Sequence, residues 1–116
     1  MGQLTTHVLD TANGRPAAGV RIELFRADEK RTRLASTLSN ADGRCDEPLL
    51  SGPGFQRGEY ELVFHAGDYF ASSGVPLTEP RFLDQVVIRF GVSDEAQHYH
   101  VPLLISPFAY STYRGS

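Results

Sequence analysis

The sequence holds a single cysteine, Cys45, and a chain with one thiol cannot close an internal disulfide. A reduced compartment fits that scarcity. A cytoplasmic location is therefore the expectation, with a periplasmic or organellar one open if a targeting segment has been removed. Lysine is equally scarce, Lys30 being the only one. No Lys/Arg run interrupts the chain, and the formal net charge is −3. Non-specific nucleic-acid binding needs a basic stripe that displaces counterions from phosphates, so no nucleic-acid partner is expected. No apolar run approaches the roughly 20 residues that span a bilayer as a helix. The opening MGQLTTHVLD also lacks the charged-then-apolar order of a signal peptide, so no membrane partner is expected. Linkers, repeats and low-complexity tracts are missing too. The glycines form no phosphate-cradling motif, and neither Ser111 nor Ser116 stands in a nucleophile elbow.

What is present is an ordinary globular mix, 116 residues that are 41% hydrophobic and 22% charged. One domain over residues 1–116, with one core, is the expectation. The dominant pattern has period two. LTTHVL (Leu4 to Leu9) puts Thr5, His7 and Leu9 on one face. VRIELF (Val20 to Phe25), RLASTLS (Arg33 to Ser39), EYELVFH (Glu59 to His65), VVIRFGV (Val86 to Val92), HYHVPLLI (His98 to Ile105) and FAYSTY (Phe108 to Tyr113) read as further strands. DTANGRPAAG, NADG and SGPGFQRG are rich in turn formers. AGDYFASSG (Ala66 to Gly74) reads as a short helix with Gly74 past its end, where a helix-stopping glycine is favoured. Seven or eight short strands with turns between them predict an all-β, antiparallel sandwich. Pro102 lies inside a strand and donates no ladder hydrogen bond, so that strand is expected to be an edge or to be bulged there. An exposed edge invites a symmetric partner chain.

Successive strand side chains alternate faces. Tyr99, Val101 and Leu103 then form a core face, and His98 and His100 point away from it. Histidine changes charge near neutral pH and so suits proton transfer. Three of the four histidines, His7, His98 and His100, lie in strands that pairing could bring together; His65 has no evident companion. His98-Tyr99-His100 also admits a zinc reading, with His7 as a third ligand, although no Cys cluster or acidic triplet accompanies it. Arg44 follows the Asp-Gly turn and is either a solvated turn residue or a clamp for anions and carbonyls. Cys45 reads as a small buried residue rather than a nucleophile, because no His stands close to it in sequence to activate its thiol.

HYHVPLLISPFAYSTYRGS, LTTHVLD near the start, the DGR turn and GDYF together resemble the 5-hydroxyisourate hydrolases, relatives of transthyretin. The blocks occur in the family's order and cover the chain from Leu4 to Ser116. The resemblance implies a transthyretin-like sandwich of two four-stranded sheets with one short helix. It implies a homotetramer, a dimer of dimers, with active sites in a channel between dimers. The implied reaction is hydrolytic ring opening of 5-hydroxyisourate, a small-molecule substrate formed in urate degradation, with no metal and no organic cofactor. Residue by residue, it implies that His7, Arg44 and His100 are catalytic and that Tyr113 and Ser116 join His7 and Arg44 in binding substrate. His98 is peripheral on that reading, and YRGS is expected to end the chain inside the site. A non-catalytic carrier on the same fold and a His-ligated zinc hydrolase are the alternatives.

Overall fold

The computed structural model describes residues 2–115. In chain order its strands are β1 (Gln3–Asp10), β2 (Arg15–Pro16), β3 (Arg21–Arg26), β4 (Arg33–Leu38), β5 (Leu50–Ser51), β6 (Gly58–His65), β7 (Gln85–Val92), β8 (His98–Ile105) and β9 (Tyr110–Thr112). One helix, α1 (Ala66–Ser72), lies between β6 and β7. The alternating stretches named from the sequence form the long strands, and β8 has the expected bounds. The final strand is shorter than the stretch Phe108 to Tyr113. The two-residue strands β2 and β5 lie in stretches whose turn-forming composition hid them.

The strands form two sheets, as expected. One runs β4-β3-β6-β7 and the other β2-β1-β8-β9, with β5 pairing the opposite end of β1 as an extra fragment. Val8, Ile22, Leu24, Leu62, Phe64, Leu103 and Ile105, all fully buried, carry the contact between the sheets. Burial of each such side chain stabilises the fold by about 1.5–3 kcal/mol. α1 covers one end of this core with Tyr69 and Phe70. It stops at Gly74, whose φ of 84° suits the left-handed residue that closes a helix. No helix among the described residues is long and apolar enough to cross a membrane.

Asp10 is buried at the end of β1, and burial alone would raise its pKa. Hydrogen bonds from Asn13 and from the Tyr69 hydroxyl, at 2.7 Å each, outweigh that and hold the carboxyl below its ordinary value.

Two expectations are corrected. β1 and β8 pair in parallel, whereas the other pairs are antiparallel. A parallel pair needs a long crossover, and the whole second sheet lies between these two strands in sequence. Nor is β8 an edge, since it sits between β1 and β9. Pro102 is tolerated because the ladder to β9 gives way beside it. The register that pairs Leu103 with Thr112 and His100 with Gly115 puts Pro102 opposite Tyr113, where β9 has already ended. The Thr112 hydroxyl donates to the Pro102 carbonyl at 2.8 Å.

Candidate active site

β1 turns Leu4, Thr6, Val8 and Asp10 inward and leaves Thr5, His7 and Leu9 half-buried on the outer face. β8 does the same with Tyr99, Val101 and Leu103 inward, His98 exposed and His100 half-buried. The parallel register sets Gln3 opposite His98, Thr5 opposite His100 and His7 opposite Pro102. His7 and His100 are thus one strand across, roughly 4.8 Å, and two residues along, roughly 6.6 Å, on the same face.

The turn after β4 brings Arg44 to this face. The Asn40 side-chain oxygen accepts from the backbone N–H of Asp42 at 2.9 Å and of Arg44 at 3.1 Å. Gly43 has φ 78°, and its carbonyl accepts from the Val8 N–H at 2.8 Å. A Cβ there would meet the Val8 carbonyl oxygen at 2.3 Å, so only glycine lets the turn press on β1. Arg44 then forms a β-bridge with His7. Its guanidinium has no carboxylate partner among the described residues.

A cleft of about 330 Å³ opens on this surface, lined by Thr5, Thr6, Arg44, Cys45, Glu47, His98 and His100. Burial first, and then the charges of Arg44, His7 and His98, push the His100 pKa below its ordinary value. The imidazole is therefore neutral at neutral pH and able to accept a proton. His7 stands beside the cleft, its Nε2 2.9 Å from the Asp42 carbonyl oxygen. A carbonyl only accepts, so this Nε2 carries the hydrogen and Nδ1 is the nitrogen left for other work. Cys45 is half-buried on the cleft wall rather than buried as expected, and desolvation, with a contribution from Asp46, pushes its thiol pKa up, which disfavours a nucleophile there.

The structure therefore brings His7, Arg44 and His100 together. Tyr113 does not line this cleft in the single chain. It is 59% exposed and borders a separate groove with Ile88, Phe90 and Arg114. Ser116 lies outside the described residues. His65 is on the other sheet and does have a companion, since its Nε2 lies 2.8 Å from a Glu23 carboxylate oxygen. That hydrogen bond is the main reason the Glu23 pKa is lowered. Among the described residues no three His, Cys, Asp or Glu side chains are placed to hold a metal ion.

Three contributors escaped the sequence reading. The Thr5 hydroxyl lies 2.8 Å from both His98 Nε2 and His100 Nδ1, so His98 is joined to the site. Gly115 donates its N–H to the His100 carbonyl at 2.7 Å, and a Cβ there would meet the His100 ring at 2.7 Å. Glu47 supplies a carboxylate on the cleft wall. The first two depend on which strands pair with β8, which periodicity does not reveal.

Comparisons with known proteins agree with this architecture. Residues 4–115 match the model of the HIUase/Transthyretin family. A 5-hydroxyisourate hydrolase of Pseudomonas aeruginosa is 61% identical over 117 residues, covering 100% of this chain and 93% of that protein. A crystal structure of (S)-allantoin synthase superposes with TM-score 0.94 at 47% identity. It covers 99% of this chain, which spans only 44% of that one. Sea bream transthyretin in complex with thyroxine superposes with TM-score 0.86 at 25% identity, covering 97% of this chain and 94% of that one. On a match from end to end of the sandwich, the chain belongs to the HIUase/Transthyretin family.

Proposed function

We propose that this protein hydrolyses 5-hydroxyisourate, opening its six-membered ring to the ureidoimidazoline 2-oxo-4-hydroxy-4-carboxy-5-ureidoimidazoline. The observation that carries the proposal is the placement of half-buried His100, its pKa lowered, with Arg44 on one cleft and His7 beside it, bridged to Arg44. Those groups occur in a chain 61% identical to a protein named as that hydrolase.

The chemistry follows from what ring opening requires. A water oxygen bonds to the ring carbonyl carbon and gives up a proton, the ring C–N bond breaks, and the departing nitrogen gains a proton. His100 accepts the water proton, with its lowered pKa keeping it free to do so. His7 orients the water or supplies the proton to nitrogen. Positioned acid–base groups of this kind contribute about 10²–10⁴-fold. Arg44 holds the oxygen on which negative charge develops. Fixed donors aimed at developing charge often supply the largest share of catalysis. The steps use water and side chains alone.

The protein works as a single domain over residues 1–116 in the cytoplasm, where Cys45 stays a free thiol. It assembles as a homotetramer, a dimer of dimers, in which exposed Tyr113 reaches a channel site and Ser116 contacts the substrate. Support comes from the exposed aromatic side chains Phe108, Tyr110 and Tyr113 around β9.

Carbon-13 NMR of freshly generated substrate tests the reaction. The expected result is faster appearance of the ring-opened product with the protein than in buffer. Equal rates from folded protein would point to a carrier on this fold.

A further inference from the structure

We propose that the Thr5 hydroxyl is a proton relay joining His100 to His98, which makes both Thr5 and His98 positioning residues. The inference rests on the hydrolase reading above and assigns work to groups that reading leaves idle.

The geometry is specific. Thr5 Oγ1 lies 2.8 Å from His100 Nδ1 and 2.8 Å from His98 Nε2. The neighbouring Thr6 is buried and donates to the Val101 carbonyl at 2.7 Å, an ordinary strand-to-strand bond. A hydroxyl has one proton to donate and lone pairs to accept with. If it donates to His98 Nε2, it accepts from His100 Nδ1–H, and His100 Nε2 is left bare as a base. If it donates to His100 Nδ1, it accepts from His98 Nε2–H, and His100 Nε2 holds a proton as an acid. One hydroxyl therefore links the tautomers of the two rings.

Catalysis uses the first arrangement. His100 Nε2 takes a proton from the attacking water. Its Nδ1 proton passes to Thr5 Oγ1, and the Thr5 hydroxyl proton passes to His98 Nε2. One proton enters at His100 and one positive charge emerges on His98, so the transfer balances. The direction has a physical cause. His100 is half-buried and faces Arg44 from the turn, His7 from β1 and His98 from its own strand, with the Glu47 carboxylate on the cleft wall. His98 is exposed, so water solvates a charge there at less cost.

The test uses Thr5→Val, which keeps the shape and removes the hydroxyl, and Thr5→Ser, which keeps the hydroxyl. Nitrogen-15 NMR of the histidines in free protein needs no substrate and so stands apart from the hydrolase reading. The expected spectrum at neutral pH has His100 Nδ1 protonated and His98 Nε2 bare, with titration of one ring moving the other. Thr5→Val uncouples them and Thr5→Ser restores the coupling. In turnover, Thr5→Val is expected to lower kcat on the order of tenfold or more with little change in KM, a part of the range general acid–base groups supply. A proton inventory is expected to be curved in wild type and linear in Thr5→Val. Independent histidine titrations in wild type, protons on both facing nitrogens, or a Thr5→Val enzyme with wild-type kcat and proton inventory would overturn the relay. If the NMR coupling is found but no hydrolysis of 5-hydroxyisourate occurs, the hydrolase reading fails and the catalytic role of the relay fails with it.

Discussion

Proton affinity at His100 is set by burial first and then by three cationic or ionisable neighbours, Arg44, His7 and His98. All four influences act in one direction, so the folded-state pKa lies below the roughly 6.5 of a free histidine. The unfolded chain then binds the proton more readily than the folded one. His100 therefore contributes stability above the unfolded value that is lost as pH falls through the folded one. For activity, the acid limb of kcat/KM is expected below the midpoint of an ordinary histidine, because the base stays deprotonated further into acid. Replacing Arg44 by Met removes a cation, so the His100 midpoint is expected to rise, read by proton NMR titration even in an inactive variant. A midpoint that does not move would remove Arg44 from the electrostatics of the site.

At the scale of elements, the turn over residues 40–44 and the β1–β8 pair build the site together. Gly43→Ala is expected to fold with lowered melting temperature and activity, because the methyl meets the Val8 carbonyl at 2.3 Å and φ is 78°. A left-handed conformation costs a non-glycine residue about 1–2 kcal/mol, and relief of the clash would carry Arg44 away from His7. Unchanged kinetics and melting in Gly43→Ala would show that the turn does not position Arg44. This turn was legible in sequence because Asp-Gly is a local signal. The faces of His7, His98 and His100 were equally legible, since alternation needs no partner strand. Pairing was not legible. Pro102 pointed to an edge, yet the interruption it causes is absorbed by the shortness of β9 in the middle of a sheet. The bond from Thr5 to two histidines needs the parallel register, which joins residues from opposite ends of the chain. His7, Arg44 and His100 were named through a family resemblance. Alternation alone gave only their faces, and the same alternation left zinc open as a rival.

At the scale of the whole molecule, the sandwich separates two duties. The β4-β3-β6-β7 sheet and α1 bury much of the aromatic core, while the outer face of β1 and β8 carries His7, His98 and His100. The transthyretin structure shows the same fold at 25% identity, so the fold alone does not choose between binding and turnover. On the proposed reading the choice rests on His100 and Arg44 in the cleft and His7 beside it, which would supply a base, a charge clamp and a second imidazole. The most direct measurement is the absorbance decay of freshly generated 5-hydroxyisourate, with chelator present, in buffer, with wild type and with His100→Ala. Fast decay with wild type, falling by about 10²-fold or more with His100→Ala, is the expected result. Decay at the buffer rate with wild type, or an equally fast His100→Ala, would contradict catalysis by this cleft.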